Sequence, residues 1–325
     1  MMNAIVFSGR RKPIEYKNYE LSESAIDGRI KTEVLACSIN RRDYWISKGL
    51  YPGINSKTKT ILGSDAVVMY KGKQFLVCPN INWGEKNIPC KDYKILGLEN
   101  VGTFADYLYT TEDKLYELPK HLSIEEGACI PLAGLTAYRT VITKCLISPG
   151  DKVLISGIGG GVATLAFLFS NAISNHVYVT SGKKAKIEKA KELGAMDGVL
   201  YSDEAAMLQL ADKIGGFDVI IDSAGGEGFE TLLRMCALGA RVGIYGGTKG
   251  AIKRISAPNL FFKQISILGT TMGSDEEFGS MLDFVQKHKI RPIVDSVRVM
   301  KDGPSIIEGM GEFNQFGKIV LKNES

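Results

Sequence analysis

The sequence predicts an α/β protein in which a doubly wound parallel sheet is inserted into a mainly-β unit. Two observations carry this expectation. Between Val153 and Gly269, six short apolar runs alternate with helical patterns, the mark of a parallel sheet with helices on its faces. The first strand-to-helix corner, Lys152-Val153-Leu154-Ile155-Ser156-Gly157-Ile158-Gly159-Gly160-Gly161-Val162-Ala163, holds four glycines within five positions. Such a corner lets the backbone turn sharply and approach a ligand, and the free N–H groups of the helix start attract a phosphate.

At 325 residues, with 45% apolar and 23% charged side chains, the chain is long enough for two domains with a large core. A net charge of +4, scattered and without an aromatic-interleaved basic cluster, argues against nucleic acid as a partner. No basic leader precedes an apolar segment at the start, and no apolar run is long enough to span a bilayer, so the expectation is a cytoplasmic protein without a membrane partner. The six cysteines are scattered without a C-x-x-C pair and only three histidines are present, which predicts reduced thiols and no metal site.

In chain order, the stretch from Met2 to about Leu118 is strand-rich. Ile30, Thr32, Val34 and Ala36 alternate with outward-facing residues, and Val67–Tyr70 and Gln74–Val77 flank a turn at Lys71-Gly72-Lys73. Phe104 to Leu108 and Lys114 to Leu118 read as two further strands. Ser123 followed by Glu126 is a capping box, and Pro131 opens a helix that runs through Tyr138 to Ile142. The six alternating strands are then Val153–Ser156, Val177–Thr180, Gly198–Leu200, Asp218–Asp222, Arg241–Tyr245 and Ile265–Gly269. A helix capped at Ser274, a strand over 293–299, a helix near 305–310 and a strand over 318–321 follow, and they are expected to rejoin the first unit.

Several stretches resemble the medium-chain dehydrogenase/reductase superfamily. They are Asn40-Arg41-Arg42-Asp43, Gly49-Leu50-Tyr51-Pro52-Gly53, Pro131 to Tyr138, Gly150-Asp151-Lys152 running into the glycine corner, and Lys191-Glu192-Leu193-Gly194-Ala195. Within the superfamily the chain is similar to the zinc-free quinone oxidoreductase branch and to zinc-type alcohol dehydrogenase-like proteins. The resemblance implies a GroES-like catalytic domain over 1–122 and 272–325, and a Rossmann domain over 123–271. In zinc-dependent members a cysteine stands at the position of Asn40, a histidine at Ser64 and a further cysteine near Leu132, so the resemblance implies no metal here. One departure is a segment between Ala66 and Cys78 that is shorter than the family pattern.

Without a Lewis acid, hydride transfer requires hydrogen-bond donors aimed at the developing oxygen charge. The resemblance places Tyr51 in that role, Asn40 against the nicotinamide ribose or carboxamide, and Thr136 against the nicotinamide. Each has a plainer reading: Tyr51 as a loop-capping aromatic, Asn40 as the cap of a helix over 41–47, and Thr136 as a back-bonded helical threonine. The resemblance assigns Gly157, Gly160, Gly161 and Val162 to the pyrophosphate, and Ala224, Gly246, Thr248 and Thr270 to the carboxyl edge that holds the rest of the cofactor. Past the second strand, Ser181-Gly182-Lys183-Lys184-Ala185-Lys186 has no acid for a ribose hydroxyl. Lys186 and Tyr201 fall where relatives hold a 2′-phosphate, with Ser181 beside them, which implies NADPH, while a merely solvated basic helix face remains the alternative.

These readings imply an NADPH-dependent reductase of a quinone or an α,β-unsaturated carbonyl, working as a homodimer through the sheet edge on a small-molecule substrate. The alternative is a cofactor-binding regulatory or RNA-binding homologue with little catalysis.

Overall fold

A computed structural model describes every residue except 11, 55–57, 86, 99–100, 313 and 324–325. The chain divides into two compact units, Met1–Leu135 with Gly273–Ser325, and Thr136–Met272. The stretch 123–135 therefore falls in the first unit, where Glu125 pairs with Lys322 at 2.8 Å and the Leu132 N–H reaches Asp65.

The second unit is a six-stranded, all-parallel sheet. Its spatial order is Asp197–Leu200, Val177–Ser181, Val153–Ile155, Phe217–Asp222, Cys236–Ile244, Ser266–Gly269. Strand order reverses at Val153–Ile155, the point where such sheets bind ligands beyond the carboxyl ends of their strands. The three residues of that strand are wholly buried, as a strand with helices on both faces must be. Helices Gly161–Asn171, Lys184–Glu192, Glu204–Ile214, Phe229–Arg234 and Ala257–Lys263 connect the strands. Phe217, Ile220, Phe229, Leu233 and Val242 are among the side chains that fill one side of this core.

The helix opened by Pro131 departs from its expected course. It is α-helical only to Tyr138 and continues as a π-helical turn over Arg139–Lys144. The β-branched residues Thr140, Val141, Ile142 and Thr143 crowd an α-helical turn. The Thr140 hydroxyl also donates to the Thr136 carbonyl at 2.6 Å, which widens the helix locally.

The first unit is mainly β. Its larger sheet runs Leu115–Glu117, Lys73–Val77, Asp65–Tyr70, Ile30–Ser38, Lys318–Lys322, Val294–Val299, with Tyr107–Thr110 also paired to Ile30–Ser38. Met2–Phe7 pairs with Glu15–Tyr19 and Thr60–Ile61 in a smaller sheet, built from segments without a strong alternating pattern. The expected hairpin is present: Tyr70 faces Lys73 across Lys71 and Gly72, both at positive φ (46° and 74°), as the twist of a two-residue hairpin demands. One pairing positions the site. Strand Lys318–Lys322 lies antiparallel to Cys37 and Ser38, which carries Lys318 to the strand end that leads into Asn40.

Candidate functional site

At the carboxyl edge of the parallel sheet, Gly157 turns with φ 72°, and its N–H donates to the Thr180 hydroxyl at 3.1 Å. Only glycine takes that conformation without strain. Gly160 caps helix Gly161–Asn171 with no side chain to satisfy its first-turn N–H groups. A Cβ built at Gly160 would meet nothing within 4 Å, so the corner is an open cradle. Ser181 is buried where the second strand ends, Tyr201 donates its N–H to the Ser181 carbonyl at 3.1 Å, and the Tyr201 phenol lies over Gly182. Lys186 sits on the helix that follows, Lys184–Glu192.

Ala224, Gly246, Thr248 and Thr270 follow the next three strands, so the same edge gathers them. The Thr248 N–H reaches the Ser223 carbonyl at 3.3 Å, and the Thr270 N–H reaches the Ile244 carbonyl at 2.9 Å. Two buried oxygens on this edge have no partner among the described residues: Asp222 Oδ1 and Thr270 Oγ1. Such orphans are rare in finished cores and suit a ligand rich in donors and acceptors. The open cradle and these orphans fit a dinucleotide. Thr136 belongs to this unit, its hydroxyl 3.8 Å from Met272 Sδ.

In the mainly-β unit the sequence-derived residue Asn40 sits in a polar cluster whose hub is Asp65, wholly buried. Asp65 Oδ2 accepts from Asn40 Nδ2 (2.8 Å), Ser38 Oγ (2.9 Å) and Lys318 Nζ (2.9 Å), and Oδ1 accepts from the Leu132 N–H (2.7 Å). Lys318, 3% exposed, also donates to Asn40 Oδ1 at 2.6 Å. Both ends of the Asn40 amide are thus held, and one of its N–H donors is left over. Asn40 also starts helix Arg41–Ser47, where Asp43 Oδ2 accepts its backbone N–H at 2.7 Å. Complete burial pushes the Asp43 carboxyl up to about 6, against a pull downward from Arg42.

Tyr51 lies part-buried with its ring 5.1 Å from the Arg42 guanidinium carbon. Arg42 in turn donates to the Ser64 hydroxyl and to the Leu96 carbonyl. Nearby, Tyr93 donates to Asn80 Oδ1 at 3.2 Å and meets Trp83 edge-on at 4.9 Å.

Sequence reasoning missed Asp65, Lys318 and Arg42. A signal existed for Lys318, which shares strand parity with buried Val320 and so had to face inward. Arg42 carried none, because an arginine in a helix's first turn is usually solvated.

A family-type catalytic zinc does not fit this donor set. Asn40 is committed to Lys318 and Asp65, Ser64 to Arg42, and Leu132 has no ligating atom in its side chain. Among the described residues no three His, Cys, Asp or Glu side chains stand close enough to share an ion.

A family model described as zinc-binding dehydrogenase matches residues 157–287. A zinc-type alcohol dehydrogenase-like protein of Leptosphaeria maculans is 31% identical over 317 residues, covering 88% of each chain. The chain is a medium-chain dehydrogenase/reductase. A crystal structure of an NAD-dependent alcohol dehydrogenase superposes on this dehydrogenase/reductase with a TM-score of 0.89, at 29% identity over 99% of this chain and all of that one. The quinone oxidoreductase of Thermus thermophilus, solved alone and with NADPH, shares the fold at TM-score 0.82 and 23% identity, covering 99% and 100%. The dehydrogenase/reductase is thus an oxidoreductase by family. No helix among its described residues is long and apolar enough to cross a membrane.

Proposed function

We propose that this dehydrogenase/reductase reduces a quinone or an α,β-unsaturated carbonyl with NADPH, by direct hydride transfer without zinc. The observation that carries the reading is the donor set at Asn40, Ser64 and Leu132, where no side chain is free to ligate a metal. The bound nucleotide supplies the hydride; everything else falls to the chain. Gly157, Gly160, Gly161 and Val162 hold the pyrophosphate on backbone N–H groups at the helix start. Ser181, Lys186 and Tyr201 receive a 2′-phosphate, since the second strand ends without an acid to take a ribose hydroxyl. Ala224, Gly246, Thr248 and Thr270 hold the far half, with Thr136 and the remaining Asn40 N–H at the nicotinamide. Tyr51 offers its phenol to the substrate oxygen.

On this reading the mainly-β unit is the GroES-like catalytic domain and the parallel sheet is the Rossmann domain. The edge strand Ser266–Gly269, beside exposed Phe261 and Phe262 (59% and 75%), supports a homodimer formed through that edge.

Titration with NADPH and NADH, followed by a panel of quinones and enones, tests the proposal. NADPH should bind the tighter and be oxidised, and a chelator should change nothing. Tighter NADH binding refutes the cofactor choice, and loss of activity to the chelator refutes the metal-free chemistry. NADPH binding without oxidation of any panel member points to a binding protein instead.

A further inference from the structure

Arg42 is a buried cation that no carboxylate of the described chain contacts through an ion pair. It is 7% exposed. Nη1 is spent on the Ser64 hydroxyl and on the Leu96 carbonyl at 2.6 Å. The ring of Tyr51 covers the guanidinium at 5.1 Å. Nε and Nη2, the two parallel donors of one edge, have no hydrogen-bond partner among the described residues and are buried. Asp43, the next residue, acts on Arg42 only through space, and its Oδ2 is committed to the Asn40 N–H. Orphan donors on an ionised group cost more than neutral ones, and a fold that keeps them invites a ligand that completes them.

We propose that the Nε–Nη2 edge of Arg42 receives the substrate's carbonyl oxygen as it becomes negative, and that it binds a planar carboxylate in the same way. The proposal rests on the reductase reading for its chemistry. A hydride from NADPH forms a C–H bond at the β-carbon, and the C=C π pair moves to make an enolate. The α-carbon then takes a proton from water, leaving NADP⁺, the saturated ketone and a hydroxide that solvent buffer neutralises. The excess charge resides on the enolate oxygen, and two side-by-side donors match it. Ser64 and Leu96 fix Nη1, so the edge is pre-set and needs little rearrangement as charge develops. The part-buried Tyr51 ring lies over the guanidinium, so that ring must shift along the edge far enough to admit the ligand while its phenol stays within reach of the same oxygen.

Crotonate is the probe, as a static likeness of the enolate. Calorimetric titration of wild type, Arg42→Gln and Arg42→Lys, with and without NADP⁺, should show saturable binding to wild type. Binding should be at least about tenfold weaker in Arg42→Gln, with Arg42→Lys in between, because lysine keeps the charge and loses the paired edge. NADPH affinity, read by fluorescence, should be equal in all three, which also certifies folding. With 3-penten-2-one, the neutral isostere, Arg42→Gln should lower kcat by roughly 10²–10³-fold and leave KM within a few-fold. Absence of saturable crotonate binding to wild type overturns the proposal, as does equal binding by Arg42→Gln. If Arg42→Gln does not fold, Arg42→Lys decides: wild-type crotonate affinity in it overturns the proposal. An inactive wild type whose crotonate binding still depends on Arg42 would refute the reductase reading and uphold the anion site.

Discussion

Lys318 and Arg42 are both buried cations of the mainly-β unit, 3% and 7% exposed, and the fold treats them in opposite ways. Around Lys318 an ion pair and a hydrogen bond are in place: an aspartate with four donors on its two oxygens, and an asparagine held at both ends. Around Arg42 one nitrogen is satisfied, and one whole edge has no partner among the described residues. Burial alone therefore says little about what a charged side chain is for. The state of its remaining donors separates a group that serves the fold from one kept for a ligand.

The contrast is open to test, most strongly through stability. Lys318→Met leaves the buried Asp65 carboxylate without its counter-ion and should cost about 3–5 kcal/mol in urea unfolding. Adding Asp65→Asn should restore much of that loss. Arg42→Met removes a cation that no ion pair holds but gives up its bonds to Ser64 and Leu96, and should cost about 1–3 kcal/mol, less than Lys318→Met. Equal losses in the two variants would erase the distinction.

Asp43 gives the next largest effect. Its folded-state value of about 6 lies above the ordinary 3.8, so the native state holds the proton the more tightly. That contribution is full below the unfolded value and is lost as pH rises through about 6. Asn cannot ionise and still offers an oxygen to the Asn40 N–H. The stability of wild type relative to Asp43→Asn should therefore fall by about 2 kcal/mol between pH 4 and pH 7.

Two further variants extend the contrast to the parallel sheet, where the corner is open as the Arg42 edge is. Gly160 has φ −76° and ψ 156°, a conformation valine accepts, and a Cβ there meets nothing. Gly160→Val should abolish NADPH binding in a fluorescence titration and leave the melting temperature nearly unchanged. Lys186→Ala should weaken NADPH roughly tenfold and leave NADH alone, the smallest effect of the set.

The sheet unit was legible in the sequence, because its six strands alternate with helices as local patterns around one glycine corner, and each strand pairs within that unit. The same holds for the residues along its carboxyl edge, which strand order alone brings together. The mainly-β cluster was not legible in the same way. Asn40 meets Lys318 across 278 positions, and no local period marks such a meeting. The π-helical turn at Arg139–Lys144 was hidden because its start looks like any α-helix, and only the threonine back-bond reveals the change.

The placement of strand Lys318–Lys322 also bears on the order in which the chain can mature. Lys318 is synthesised 253 residues after Asp65, a wait of roughly 13–50 s at ordinary rates of translation. Throughout that interval the carboxylate at the heart of the mainly-β unit has no counter-ion and stays hydrated. The inserted sheet over 136–272 emerges complete within the same interval and holds all of its own strand pairings. On the ribosome the guest unit is thus positioned to fold first, and its host closes only when one late lysine arrives.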